Sequence, residues 1–483
     1  MRQKLQKFEV FAQSLLPHEV GYLLRVQQFQ DEDNLDILRR IHHNCHPLHT
    51  PQEFDPDLDK RKYSNLKKWI QTRLDSIDVD LQLTRLLELE ALITTETLSP
   101  ETEETLLREM GQQSAGMFYF GKYYEVMRLL RNYLIAHQRY EAHDQVQRWL
   151  EAQAGAYSQV VEVQELLYET SRLLAQPLFP HDVRIEAQEA RLRKLFYDES
   201  PDGHSRYQAF ERLAGIYIQA GSYARLRELF DALDGLFQQG QLYTRRILAS
   251  YYGNRSVLHN RLGEVQDAEI YGYLAIRHPS ADYLQHINNL AALLLHKGEA
   301  ARALALMQDA VPEMRRSQDM HSKTGFVAFY MRSLYDNGRA PQAEQYGAVF
   351  LRSYKDLPDP QRFVFFTVYL QVLIHRQKYA LVVSLARRYK LADLDATYRP
   401  YPIYLPAMHW YVLTARYQEG RLSRERLAET IARDRETLAN DHHKQHLIAQ
   451  LVEELYQHAP QVFGPLRQST PGSTTTTSSQ STD

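Results

Sequence analysis

The sequence is poor in the features that usually announce a chemistry. Cysteine occurs once, at Cys45, in 483 residues. No disulfide can form within such a chain, and a reducing compartment is the expectation. Neither sign of charge dominates: 57 basic residues stand against 60 acidic ones, for a formal net charge of −3. That balance argues against a general polyanion-binding surface, and so against nucleic acid as the main partner. No stretch approaches the ~20 consecutive apolar residues that a membrane-spanning helix needs, so no membrane association is expected. The opening stretch, MRQKLQKFEVFAQSLLPHEV, is broken by Gln6, Lys7, Glu9 and Gln13 and has no small-residue cleavage site. It reads as an amphipathic helix rather than a leader, which makes a cytoplasmic protein the default. There is no glycine-rich phosphate loop, nucleophile elbow or dinucleotide fingerprint. The sequence therefore makes no positive case for an enzyme, and no catalytic residue, metal ligand or cofactor is assigned.

What is present is helix. Apolar residues recur at three- and four-residue steps almost everywhere, and strand signals are nearly missing. In INNLAALLLHKGEAARALALMQDAVP, Ile287, Ala291 and Leu294 share one helical face, and Ala303, Met307 and Ala310 repeat that spacing after Gly298. A glycine there can adopt a left-handed C-cap and turn the chain into an antiparallel second helix. Matching units place Ser256, Gly263, Ala268, Gly272 and Ala275, then Met331, Leu334, Gly338, Ala343 and Gly347, in the same slots. Ala214, Tyr217, Gly221 and Phe230 form another unit. Leu370, Leu373 and Ala386 form one more, with Gln377 where glycine would stand. The turns at 221, 263, 298, 338, 377 and 420 recur at intervals of about forty residues, the mark of a stacked array of helix pairs. A looser copy is expected to turn at Gly121, and the register is lost between Gly121 and Gly221.

A small residue on the first helix, a glycine at the turn and alanines on the second helix make the chain resemble the tetratricopeptide repeats. Ala291, Gly298, Ala303 and Ala310 carry the pattern in one unit, and Gly263, Ala268 and Ala275 in another. The resemblance is good over roughly 205–355 and weaker on either side. Most units exceed the family's ~34 residues, and the early tryptophan and closing proline are missing, so the fitting label is tetratricopeptide-like. The expected fold class is all-α: an α-solenoid of such helix pairs (111–466) behind an N-terminal helical bundle (1–110), with a disordered Ser/Thr-rich tail (467–483). The resemblance implies a concave groove lined by the first helices, with contact positions at Asn254, Arg261, Asn289, His296, Arg332, Gln371 and His375. A non-enzymatic scaffold or adaptor that binds a peptide or protein partner in that groove follows. The alternative is a two-part regulator, whose N-terminal bundle is the effector and whose repeats sense a partner.

Three local clusters compete with that reading. IHHNCHPLHTPQEFDPDLD holds four histidines, the lone cysteine and three alternating aspartates. On an ideal helix His42, His46 and His49 would align, but Pro47 disfavours helix at His46, so the helix should end near His43 or Asn44. Lys60 and Leu66 stand where a calcium loop needs glycine and glutamate. A polar connection with Cys45 facing inward is expected instead. The stretch DKRKYSNLKKWI mixes Lys60, Arg61, Lys62, Lys67 and Lys68 with Tyr63 and Trp69. It fits either a nucleic-acid contact or a helix whose Leu66, Trp69 and Ile70 face a core. His442 and His446 lack the adjacent glutamate of a metalloprotease helix.

Overall fold

In a computed structural model, residues 2–112, 114–174, 183–198, 201–354, 359–400, 404–438 and 442–467 are described. Every regular element among them is a helix, so the protein is all-α, as its periodicity requires. No helix among them is long and apolar enough to cross a membrane. The Ser/Thr-rich tail and the side chains of His442 and His446 lie outside the described residues.

The chain divides into two compact units, Met1–Tyr283 and Leu284–Asp483. The first holds α1 (Arg2–Gln13), α2 (Pro17–Val26), α3 (Glu32–Asn44), α4 (Lys60–Asp75), α5 (Val79–Thr94), α6 (Pro100–Met110) and α7 (Phe120–Ala136). It continues with α8 (Tyr140–Leu174), α9 (Val183–Tyr197), α10 (Gly203–Gln219), α11 (Tyr223–Gln238), α12 (Arg245–Arg261) and α13 (Val265–Ala275). This unit thus contains both the first 110 residues and the earliest of the expected repeats. From α14 (Tyr283–His296) onward come α15 (Ala300–Asp309), α16 (Val311–Arg316), α17 (Met320–Asp336), α18 (Ala340–Ser353) and α19 (Asp359–His375). The last are α20 (Tyr379–Arg388), α21 (Leu391–Tyr398), α22 (Ala407–Gln418), α23 (Arg424–Thr437), α24 (His442–Tyr456) and α25 (Pro460–Arg467).

Local sequence explains where many of these helices start. The Ser99 side chain accepts from the Thr102 amide, with Pro100 at the first helical position of α6. Asp31, Asp59 and Asp78 cap α3, α4 and α5 in the same manner. Helix α3 ends at Asn44, where Pro47 requires it to end, and Cys45 is buried, its thiol 3.2 Å from the Leu15 carbonyl.

The turns between paired helices share one geometry. Gly221, Gly263, Gly298, Gly338 and Gly420 all have positive φ, and so does Gln377 at +54°. All six positions expected from the spacing are left-handed. After each, the next amide bonds back five residues: Ser222 to Tyr217, Glu264 to His259, Glu299 to Leu294, Arg339 to Leu334, Lys378 to Leu373 and Arg421 to Arg416. That six-to-one bond is the Schellman closure, which satisfies a carbonyl orphaned by the helix end. Two more turns use it without glycine. Glu96 and Gln138 are left-handed, with Thr97 bonded to Leu92 and Arg139 to Leu134. They join α5 to α6 and α7 to α8.

This corrects one expectation. Gly121 is not a turn: it lies in the first turn of α7, and the chain reverses at Gln138. The left-handed residue at that turn is a glutamine, closed by the bond from the Arg139 amide to the Leu134 carbonyl. Replacing Gln377 with glycine removes the steric cost of an L-residue at positive φ while keeping its amide bond to Ile374. After the entropy that glycine adds to the unfolded chain, a gain of about 0.5–1 kcal/mol is expected in denaturant titration.

The small-residue slots are where the helices meet. Ala268, Ala291, Ala303 and Ala343 are all fully buried. Gly347 of α18 is held so tightly that an added Cβ would lie 2.6 Å from the Met331 sulfur on α17 and 2.6 Å from the Tyr369 ring on α19. In the first unit, α2 is pinned by charge as well as packing. Glu19 is completely buried and accepts from the Leu16 amide at 2.8 Å, the Tyr243 hydroxyl at 2.6 Å and Arg245 Nε at 2.7 Å. Beside it, the His18 ring lies 2.6 Å from both the Tyr252 hydroxyl and Asp234 Oδ1.

Candidate interaction site

The seven positions implied by the repeat resemblance fall in different surroundings. On α12, Asn254 and Arg261 are exposed, and the Asn254 amide reaches only Ser250 Oγ at 3.4 Å. On α14, Asn289 is half-buried and His296, the last residue, is exposed. His375 ends α19, exposed, with its ring edge-on to Tyr335 at 4.9 Å. Of the seven, Arg332 and Gln371 are hydrogen-bonded to one another, within a cluster of polar side chains from four helices in which Gln371 is buried and Arg332 half-buried.

Arg332 sits on α17, where its Nε donates to Asp336 Oδ2 at 2.9 Å, one helical turn on. Its Nη1 donates to the Gln371 side-chain oxygen on α19 at 3.0 Å. The buried Gln371 then gives its amide proton to Glu454 Oε2 of α24 at 2.8 Å. Tyr411 of α22 donates to the same oxygen at 3.2 Å. An amide and a phenol thus converge on one carboxylate, and a guanidinium from the preceding helix pair holds the amide. The geometry follows from helical periodicity. Arg332 and Gln371 each lie four residues before the end of their helix, so they stand at one level along adjacent rods.

Electrostatics agrees with the contacts. Burial pushes the Glu454 carboxyl above the usual range, opposed by the Gln371 amide, Arg332 and the Tyr411 hydroxyl. Its second oxygen is buried without a partner. Burial works against the Arg332 charge, but Asp336 and Glu454 outweigh it and hold the guanidinium more firmly protonated. Burial, and then the Glu454 charge, raise the Tyr335 hydroxyl to about 12. Near the α24–α25 connection, His458 lies 2.9 Å from the Tyr379 hydroxyl. Its pKa is lowered by burial and by His375. The arrangement is suited to holding a carboxylate by charge-assisted hydrogen bonds.

Sequence reasoning named Arg332 and Gln371 as groove positions. It missed Glu454, which is 83 residues from Gln371. Nothing local distinguishes that glutamate from its neighbours Gln450, Glu453 and Gln457.

The other clusters resolve as follows. His46 and His49 stack at 3.7 Å and His43 stacks on His49 at 4.8 Å, so imidazoles do gather in the N-terminal connection, but His43 takes the place expected for His42. In the basic stretch, Leu66 and Ile70 are buried and Trp69 packs on Phe29 at 4.6 Å. Lys62 is paired with Asp31 and Asp33, and Lys67 sits over the Phe11 ring at 4.8 Å. Among the described residues, His259, Glu264 and Asp267 bring ligand atoms within 4.8 Å of one another. Arg227 already pairs with that Glu264, supplying the positive charge a cation would bring. No protein-family model and no curated protein matches the chain.

Proposed function

We propose that the protein is a non-enzymatic interaction scaffold or adaptor. Its helix pairs form a tetratricopeptide-like α-solenoid behind an N-terminal bundle, and the first helix of each pair faces a groove that receives a peptide or protein partner in the cytoplasm. The observation that carries this reading is the grip on Glu454. Gln371 donates to that carboxylate on another helix, and Arg332, one repeat earlier, donates to Gln371 in turn. A row of such positions on successive first helices suits an extended or helical partner read at intervals. In the second unit the chain's own α24 takes the Arg332–Gln371 position. The partner contacts are therefore assigned to other positions, Asn254 and Arg261 within the first unit and Asn289 and His296 within the second. An asparagine amide donates and accepts at once, as a peptide backbone requires.

The test is capture from the native source with the full chain and with Asn254 and Asn289 both changed to alanine. Partner recovery should fall at least several-fold while helical circular dichroism stays the same. Undiminished recovery by the double variant defeats the groove assignment.

A further inference from the structure

In the second unit the turns between paired helices are tied to one another. Asn337, at the turn after α17, donates to the Ala300 carbonyl just past the Gly298 turn at 2.8 Å. Arg376, at the turn after α19, pairs at 3.1 Å with Glu344 near the start of α18. The Tyr379 hydroxyl lies 2.9 Å from His458 Nδ1, and the Gln418 side chain donates to the His458 carbonyl. The turns at Gln377 and Gly420 therefore meet at one residue. These contacts run through the turns in chain order and place them along one edge of the helix pairs.

Each of the last three turns carries a cation directly after its left-handed residue: Arg339, Lys378 and Arg421. All three are exposed, and among the described residues none of them forms an ion pair. The carboxylates of this edge are already engaged or offset. Asp336 holds Arg332 at 2.9 Å, and Glu344 holds Arg376. Glu419 and Glu425 are matched in charge by Arg416 and Arg424. Solubility asks for surface charge, but not for the same sign at the same place in three successive turns. An unanswered cation at a repeating position is suited to a partner of opposite charge.

The interval narrows the partner. Neighbouring helices pack about 8–10 Å apart, so charges one helix pair apart recur at roughly that distance. A polyproline II segment has three residues per turn and rises about 3.1 Å per residue, so every third side chain returns to one face after about 9 Å. A nucleic-acid strand spaces its phosphates more closely, and it would approach a chain whose formal net charge is −3.

We propose that this edge of the second unit binds an extended acidic segment of a partner protein, whose carboxylates at every third residue meet Arg339, Lys378 and Arg421 in turn. The proposal rests on the stacked-pair reading and gives its partner a chemistry, but it uses none of the seven groove positions.

The experiment measures fluorescence anisotropy of a labelled peptide of Glu-Pro-Pro repeats titrated with the full chain. Saturable binding that weakens as salt rises is expected. Arg339→Glu, Lys378→Glu and Arg421→Glu together should weaken it at least about tenfold. Helical circular dichroism should stay the same, because all three side chains stand in water. Arg387→Glu, Arg388→Glu and Lys390→Glu together make the same change in net charge at the opposite end of α20, and should alter affinity less than about twofold. A peptide of equal length and charge with its glutamates in one block should bind more weakly. The variant with Asn254 and Asn289 both changed to alanine should bind the repeat peptide as the parent does. Loss of binding in that variant would place the peptide in the groove and overturn the edge. The proposal is also overturned by an absence of saturable binding, by equal affinity of the parent and the edge variant, or by an equal loss in the variant at the opposite end of α20. Equal or tighter binding of the block peptide, or tighter binding of a single-stranded DNA of equal charge, overturns it as well.

Discussion

Replacing Glu19 with alanine is expected to lower the stability of the first unit by about 3 kcal/mol. The carboxylate is completely buried and serves three donors: the Leu16 amide, the Tyr243 hydroxyl and Arg245 Nε. Removing it strands a buried phenol and a guanidinium, and breaking one partner of a buried pair costs more than the pair contributes when intact. Arg245 is 39% exposed along its side chain and can turn toward water, which keeps the loss at the lower end of the range for such pairs. Glu19→Gln retains the acceptor oxygen for Tyr243 and should lose about half as much. Thermal denaturation measures the loss. Hydrogen exchange locates it, with faster exchange expected in α2 and the start of α12. Unchanged melting of Glu19→Ala would show that α2 is not held to residues 243–245 by this charge.

The second large effect is expected at Gly347. In an open helix, glycine to alanine stabilises by about 0.5–1 kcal/mol, because glycine loses more backbone freedom on folding. Gly235, in the last turn of α11, is such a position: an added Cβ meets nothing within 4 Å. At Gly347 the same Cβ would fall 2.6 Å from the sulfur of Met331 and from the ring of Tyr369, both buried. Neither can retreat without opening the contact between α17, α18 and α19. Overpacking costs of about 1–3 kcal/mol then exceed the propensity gain, and the sign reverses. Gly347→Leu should reach the upper end of that range, and Gly235→Ala should raise stability slightly. Denaturant titration of the two variants against the parent decides it. Equal stability of Gly347→Leu and the parent would mean that α18 does not approach its neighbours through this residue.

Much of the fold is legible in the residues because helices are local objects. The three- and four-residue spacing places the helices, Ser99–Pro100 marks the start of α6, and Pro47 marks where α3 must stop. The six turns from 221 to 420 follow from their spacing, even at Gln377, because the flanking apolar faces keep the register when glycine is replaced. The turns at Glu96 and Gln138 were not legible. Their left-handed backbone is closed by the bonds from Thr97 to Leu92 and from Arg139 to Leu134, although neither residue prefers that conformation. Gly121 misled for the complementary reason. A glycine is permitted in a turn but does not require one, and at the head of α7 it lies 3.0 Å, by its missing Cβ, from Val160.

By itself the sequence determined that the chain is all-α, where most of its helices begin and end, which small residues lie at helix contacts, and that Cys45 faces inward. Tertiary structure alone decided which polar groups share a site. Glu19 meets Arg245 across 226 residues, Gln371 meets Glu454 across 83, and Arg332 meets Gln371 across 39. The physical reason is one of range. Helix periodicity and capping act within a few residues and leave their mark in composition and spacing. The partner of a buried charge is chosen by which rods lie side by side, and that information is spread over the whole packed core.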